Sequence, residues 1–436
     1  MLDFHNDEQS LELRAKLVAQ LVKSGDLKSP AVERSFLKVP RELFVPKNGV
    51  TEELTTIYQN NPLTIKTDGR LGEVISTSSQ PSVMASMLQL LEPCEGKKIL
   101  EIGTGTGYNA ALLASLVGSS GKVVSVELDP DLAELARKNL CTLGLDNRTL
   151  VITGDGWEGY SEEAPYDGII VTAQSDDIAP AWFEQLTADG RLILPMYLAP
   201  EFQFSTIVGF RRQGVLLKSF NLVQGRFIGL RGYHTVHGPE ISRYGILVNL
   251  GAATDGEHIV QIESALLPEI NLARRADLLS LWLAPGLIAT LSEKIPSFFD
   301  FANFLRLKKS KDGVCKVIVN PQHAIQNLGR TRIQGVGLVH FEGDQPSLLL
   351  LSWPTSAHDE TRDSVILYGA NPKVLMVRFE NIIKEWKDLG YVGLKDLRVT
   401  ANQGNWTGEL GHGSWVLPLR SATLVLDYEV RVGDAV

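Results

Sequence analysis

No run of apolar residues in this sequence approaches the roughly 20 that a membrane-crossing helix needs, so a helical membrane span is not expected. Cysteine is scarce: Cys94, Cys141 and Cys315 are the only three, far apart and with no CxxC pair. That is too few for a disulfide framework, and they read as reduced thiols of a cytoplasmic protein. Basic charge is also short, with 42 Lys and Arg against 51 Asp and Glu and a net charge of -9. A broad nucleic-acid surface needs clustered Lys and Arg, so no nucleic-acid partner is expected, and a neutral or basic peptide suits the balance better. Met1 to Ser10 is polar and acidic, unlike a secretory signal. There is no Pro/Gly-rich tract and no block of one charge sign, which argues against disorder outside the termini.

What remains is an ordinary globular composition, 44% hydrophobic over 436 residues, enough for two to three domains. Leu11, Leu13, Leu17, Leu21 and Val22 recur at helical spacing, and Val32 to Leu37 predicts a second short helix. Pro40 and Pro46 bracket a loop that should carry Phe44 into the core. Pro81 heads an apolar helix running to Leu91, a position where its missing N–H costs nothing, and Ser79 falls in its N-cap region.

From Lys98 onward strands and helices alternate. Strands are expected at 99–102, 123–127, 150–153, 168–172 and 191–195, and helices at 109–117, 131–143 and 181–186. Such alternation implies a parallel sheet with helices on both faces. Beyond about Tyr233 it fades. Helices are expected there at 272–282, 296–305 and 374–389, and strands at 314–319, 337–341, 347–352 and 422–430, a separate α+β domain.

The densest chemical signal is Leu100-Glu-Ile-Gly-Thr-Gly-Thr-Gly-Tyr108, three alternate glycines between an apolar strand and a helix. Glycine there permits a tight turn and close approach of a bulky ligand. The next strand ends at Glu127, about 20 residues on, where a carboxylate can accept from both hydroxyls of a ribose. Gly154-Asp155-Gly156 closes the following strand and could set a carboxylate near an adenine amino group. Dinucleotide sites favour GxGxxG because diphosphate needs the helix N-terminus, whereas this loop is GxGxG. The three pieces together point to S-adenosylmethionine and a Rossmann-like α/β methyltransferase domain of class I, yielding S-adenosylhomocysteine. The cofactor residues expected are Glu101, Ile102, Gly103, Thr104, Gly105, Gly107, Glu127, Leu128, Asp155 and Gly156.

Four segments resemble the protein-L-isoaspartate O-methyltransferase family: Val32 to Val45, Ser79-Gln80-Pro81, Leu100 to Ala114, and Gly154-Asp-Gly156 with Tyr166 to Ala173. The likeness extends to Arg226 to Arg231. It implies methyl transfer to the free carboxylate of an isoaspartyl residue, Ser79 as the catalytic orienting residue, and substrate contacts from Ser78, Ser79, Gln80, Val171 and Thr172. A carboxylate with an ordinary pKa of about 4 is already ionised at neutral pH and needs no general base. Ser79 has a plainer role open to it as well, that of a helix cap.

His234 and His237 invite a metal reading, but no Asp, Glu or Cys completes a ligand set beside them, so no metal is expected. Trp282, Trp353, Trp386, Trp406 and Trp415 could line a peptide groove or fill a core.

Two local departures from the family pattern accompany the long C-terminal part: the hydroxyl-rich Val74 to Ser79, and Ala173-Gln-Ser-Asp-Asp177 in place of an alanine-rich stretch. The division expected is a catalytic domain at 1–235, with N-terminal helices within 1–50, and an accessory domain at 236–436 for peptide recognition. Added surface suits selection of one peptide. The combination resembles homologues from ribosomal peptide (RiPP) pathways for lanthipeptides, lasso peptides and graspetides. There an aspartate of a cyclised precursor peptide is esterified and closes to a succinimide (aspartimide), or onward to isoaspartate. The expectation is therefore peptide modification, with general isoaspartyl repair as the alternative and a noncatalytic cofactor-binding interaction protein as a second one.

Overall fold

The computed structural model describes residues 8–46, 53–69, 72, 74–199, 204–225, 227–232, 246–252, 258–264, 287–292, 295–307, 314–319, 334–342, 345–352, 364–369, 371–410 and 414–428. Helices α1 (Glu8–Ser24) and α2 (Pro30–Lys38) open the chain, the second capped by the Ser29 side chain and started by a proline in its first turn. Their apolar stripes bury Leu17, Leu21, Val32 and Phe36. A 3-10 turn at Arg41–Phe44 drives Phe44 into the core, where its ring lies 5.5 Å from that of Tyr108. A short helix α3 (Leu54–Ile57) leads to an antiparallel hairpin, β1 (Leu63–Thr67) and β2 (Val74–Ser78), and then to α4 (Pro81–Leu91).

The βα alternation follows as β3 (Lys98–Ile102), α5 (Tyr108–Val117), β4 (Lys122–Glu127), α6 (Pro130–Thr142), β5 (Thr149–Thr153), β6 (Tyr166–Val171), α7 (Pro180–Glu184) and β7 (Leu186–Ala199). These strands lie parallel in the order β5-β4-β3-β6-β7. The chain steps outward from β3 to β4 and β5, then returns to place β6 on the other side of β3. Ligands of open α/β sheets bind at such a switch point, outside the carboxyl ends of the strands.

Two long strands absent from the sequence expectation, β8 (Phe204–Gln213) and β9 (Leu216–Gln224), extend the sheet antiparallel from β7. Beyond them β10 (Ile246–Ala252), β11 (His258–Ser264), β12 (Leu287–Thr290), β13 (Val314–Val319), β14 (Gln334–Glu342), β15 (Gln345–Ser352) and β16 (Ser364–Gly369) form a second, seven-stranded sheet. Helices Phe298–Leu307 and Pro372–Asp388 pack here, and the helix expected at 272–282 lies outside the described residues, as do His234, His237, Trp282 and Trp353.

The last strands, β17 (Leu397–Gln403), β18 (Trp415–Pro418) and β19 (Ala422–Tyr428), leave that second sheet and return to the first. There β17 pairs with β9, Thr400 opposite Lys218, making a ten-stranded sheet. A boundary at 235/236 therefore does not separate the chain in space: residues 397–428 complete the sheet that residues 98–224 begin. The core agrees. One continuous apolar cluster contains Leu100, Ile169 and Trp182 of the first part together with Phe301, Phe379, Trp386 and Leu424 of the second. Trp386 is fully buried and its Nε1 donates to the Val392 carbonyl at 2.7 Å, so this tryptophan is core and not groove. Among the described residues no helix is long and apolar enough to cross a membrane.

Candidate active site

Three connected hollows lie at the carboxyl edge of the parallel strands. The first is lined by Ile75, Ser76 and Thr77 of β2, by Ile102, Gly103 and Gly105, by Glu127 and Leu128, and by Gly156, Thr172 and the segment Ile228–Arg231 among others. The second shares Thr77, Gly103, Gly105 and Thr172 with it and adds Ser78, Ser79, Thr104, Tyr108 and Asn109. A third opens toward solvent past Thr77, Ser79, Gln80, Tyr197 and Phe227. The three hollows adjoin from the strand ends to the surface, and Thr77 lines each of them.

The glycines of the loop do separate jobs. Gly103 has φ +92°, and a Cβ there would meet Thr172 Oγ1 at 2.5 Å. The Thr172 hydroxyl instead donates to the Gly103 carbonyl at 2.6 Å, pinning the loop across the switch point. Gly105 has φ +56° and nothing nearer than Ser76 Oγ at 3.9 Å, which leaves open space above its backbone for a ligand. Gly107 lines none of the three hollows; a Cβ there would touch Ala136 at 3.3 Å, so it lets α5 approach α6.

Glu127, buried at the end of β4, accepts from the Gly105 amide at 2.7 Å and from the Asp129 amide at 3.0 Å. Each carboxylate oxygen keeps a lone pair for a further donor, and Glu127 lines the first hollow. Burial pushes its pKa up, while the two amides and the charge of Arg231 pull it down.

Glu101 departs from its expected place in the cofactor contact set. It is fully buried under the loop, where it accepts from Asn109 Nδ2 at 2.7 Å and from Ser125 Oγ at 2.5 Å. Ser125 in turn meets Thr104 Oγ1 at 2.6 Å, so Glu101 holds the loop from beneath. Burial raises its carboxyl to about 7. Asp155 is also displaced from the lining: its carboxylate accepts from the Trp157 amide at 2.9 Å and lies against Gly232, and Gly156 lines the hollow in its stead. Val171 points into the core from β6 and leaves that wall to Thr172.

Ser79 precedes the helix N-cap, which is Gln80, and its hydroxyl does not cap α4. It lines the passage beside Ser78, and both are held by Arg41. The Arg41 side chain is fully buried and donates to the carbonyls of Ile57 at 2.9 Å, Asn61 at 3.1 Å and Ser79 at 3.1 Å, with its guanidinium over the Tyr108 ring. The Val-Pro-Arg-Glu segment thereby shapes the Ser78–Ser79 turn.

Sequence reasoning missed Ile75, Ser76 and Thr77 as site residues, although the hydroxyl-rich run containing them was noticed. The hairpin they belong to covers the glycine loop. Lys66 on β1 fastens it, with Nζ 2.6 Å from Asp129 Oδ2 and 3.2 Å from Asp131 Oδ2. Phe227 and Ile228–Arg231 were also missed; they reach the site because Gln174 brackets them, its amide donating to Ile228 O at 2.8 Å and its carbonyl accepting from the Leu230 amide at 2.7 Å. Among the described residues no cluster of His, Cys, Asp and Glu is arranged to hold a metal ion.

The open face at Gly105, the paired acceptor Glu127 and the pinned Gly103 fit the nucleoside and amino-acid parts of S-adenosylmethionine. Comparison with known proteins agrees. The family model "Protein-L-isoaspartate(D-aspartate) O-methyltransferase (PCMT)" matches residues 12–232. Protein-L-isoaspartate O-methyltransferase 2 of Archaeoglobus fulgidus is 43% identical over 221 residues, 51% of this chain and 94% of that protein. A solved protein-L-isoaspartate O-methyltransferase is 25% identical, covering 89% of this chain and 96% of its own at a TM-score of 0.48. A Plasmodium falciparum beta-aspartate methyltransferase in complex with S-adenosyl-L-homocysteine is 20% identical, covering 50% and 97%, at a TM-score of 0.41. The matched span takes in the glycine loop, Glu127, the Ser79 turn and the wall at Ile228–Arg231 alike, and the chain belongs to the protein-L-isoaspartate(D-aspartate) O-methyltransferase family of S-adenosylmethionine-dependent enzymes.

Proposed function

We propose that this chain esterifies the free carboxylate of isoaspartyl residues in proteins and peptides. The observation that carries the reading is the chemistry of the middle hollow. Among its described lining residues there are hydroxyls, amides, Met84, Met87 and Phe227, but no His, Lys, Asp or Glu. Tyr108 is the only titratable side chain there, and burial raises its pKa beyond use as a base. Such a site suits a nucleophile that arrives ionised.

Bound S-adenosylmethionine supplies a sulfonium methyl, which passes to a carboxylate oxygen to give a methyl ester and S-adenosylhomocysteine. The chain's own part is positional. Ser79, presented by Arg41, donates its hydroxyl to one carboxylate oxygen and turns the other toward the cofactor side of the passage. Thr77 and Phe227 narrow the passage and exclude water. In-line alignment of this kind can supply roughly 7 to 11 kcal/mol of barrier reduction. Gly103, Gly105 and Glu127 hold the cofactor, with Ile102, Thr104, Leu128 and Gly156 around it, and Thr172 and Gln80 flank the substrate.

General isoaspartyl methylation is the better-supported reading. The family model over residues 12–232 and the curated relatives are protein-L-isoaspartate O-methyltransferases, and of the C-terminal part expected to offer surface for one precursor, strands β17–β19 are occupied in completing the first sheet. The testing experiment offers the purified enzyme and S-adenosylmethionine three peptides of one sequence, carrying isoaspartate, aspartate, or aspartate in a cyclised form. Methylation of the isoaspartyl peptide alone is expected. Esterification confined to the cyclised aspartate would establish tailoring in its place.

A further inference from the structure

Asp176 and Asp177, in the loop after β6, are the landing place of the C-terminal hairpin. Asp177 is 1% exposed. Its Oδ2 accepts from the Ser421 amide at 2.7 Å and its Oδ1 from the Ile178 amide at 2.7 Å. Arg420, in the turn between β18 and β19, sets Nη2 3.6 Å from Asp176 Oδ1 and Nε 3.9 Å from Asp177 Oδ2, and its guanidinium lies over the Trp157 ring, 5.5 Å from the centroid.

Both contacts are made by residues that follow lining residues of the cleft in the chain. Trp157 follows Gly156, a lining residue, and the Gly156 carbonyl is held by Trp182 Nε1 at 2.8 Å. Asp176 and Asp177 follow Ala173, another lining residue, and Gln174, which brackets the lining strand Ile228–Leu230. Ser175 Oγ donates to the Asp177 carbonyl at 2.6 Å, so the loop is one rigid piece from Gln174 to Ile178.

We propose that Arg420 is a positioning residue for cofactor binding: from the C-terminal hairpin it ties the loop after β5 to the loop after β6 and so fixes the spacing between two walls of the cleft. One planar cation suits the task, because a guanidinium can stack on an indole face and address carboxylates with its edge at the same time. Arg420, outside the family match, thereby acts on the cofactor end of the site.

This rests on reading the cleft as the cofactor site, and calorimetry with S-adenosylhomocysteine on the full chain separates the two claims. Absence of binding by the unaltered protein would remove the cleft assignment itself. Given binding, Arg420→Ala is expected to weaken it about fivefold and to raise KM for S-adenosylmethionine alike, with kcat at saturating cofactor and KM for the isoaspartyl peptide unchanged. Arg420→Lys keeps the charge but loses the stack, and should restore part of the affinity. Because loss of Arg420 could also loosen the fold, Asp176→Asn is measured beside it; this milder change should weaken binding about twofold, and the double variant should show less than the product of the two effects. Unchanged cofactor affinity in Arg420→Ala, or independent effects in the double variant, would overturn the proposal and leave the contact a structural one.

Discussion

Replacing Glu127 by Gln is the sharpest single perturbation of the cofactor site, because the side chain keeps its size and loses only charge and one acceptor. In the structure both carboxylate oxygens are already engaged by backbone amides, Gly105 N at 2.7 Å and Asp129 N at 3.0 Å. Whichever way the Gln amide turns, its NH2 must face one of those N–H groups, and a single oxygen is left to accept from a ribose hydroxyl. A hydrogen bond to a charged acceptor contributes about 1.5 to 3 kcal/mol. Losing one such bond, and weakening the other to a neutral one, amounts to about 2 to 3 kcal/mol, or roughly 30- to 150-fold in Kd. The assay is calorimetric titration with S-adenosylhomocysteine. A pH series adds a second test. Burial raises the Glu127 pKa, so as pH falls through that value the protonated side chain gives up an acceptor and wild-type affinity should decline toward that of the Gln variant. The variant itself should be flat over the same range. Binding by E127Q within about twofold of wild type would refute the assignment of this carboxylate to the ribose.

Four further outcomes follow from particular residues. Ser79→Ala should lower kcat for methyl transfer about tenfold while calorimetry finds S-adenosylhomocysteine affinity unaltered; unchanged turnover would remove the orienting role. Glu101→Gln tests the buried network. The folded carboxyl titrates near 7 against an ordinary 4.5, so the native state keeps a proton that the unfolded chain releases. Wild-type stability should therefore fall as pH rises from about 4.5 to about 7, by at most about 3 kcal/mol, and urea unfolding of E101Q should show no such decline. Lys66→Met should loosen the β1–β2 hairpin and speed release of S-adenosylhomocysteine about threefold in stopped flow, since the ion pair is partly exposed and contributes under about 1 kcal/mol. Trp386→Ala should cost about 3 to 5 kcal/mol, and because one core spans both parts of the chain, far-UV and near-UV circular dichroism should report a single unfolding transition.

The parallel half of the sheet was legible in the sequence because its signals are local. The strands from Lys98 to Val171 are short apolar runs, β3, β4 and β6 each followed by a helix, and Gly103 and Gly105 mark backbone of positive φ beside the cleft. The place of Glu127 at the end of β4, against the glycine loop, was readable from its spacing for the same reason. Glycines look alike in sequence, however, and only the fold separates Gly105, with open space above it, from Gly107, which faces Ala136. Glu101 was misplaced on similar grounds: an acidic residue beside a glycine loop does not disclose whether its side chain faces the cleft or the core.

The pairing of the last strands with the first sheet was unreadable in principle. Nothing near Thr400 says that its partner is Lys218, some 180 residues away, because pairing is decided by which sheet edge is left bare. The β8–β9 hairpin supplies that edge, and its strands were themselves unrecognised. The hydroxyl-rich β2 was noticed as unusual, yet its function depends on folding over a loop 25 or more residues away. Contacts of that kind are set by tertiary packing and leave no periodic trace.

The most direct test of the central claim follows the methyl group itself. The enzyme is given S-adenosylmethionine and an isoaspartyl peptide, and the product is fragmented by mass spectrometry before and after mild base. The account predicts a methyl ester on the isoaspartyl side of the residue that loses methanol in base to give the succinimide, and no ester on the matched aspartyl peptide. An ester on ordinary aspartate with none on isoaspartate, from enzyme that binds S-adenosylhomocysteine, would contradict it.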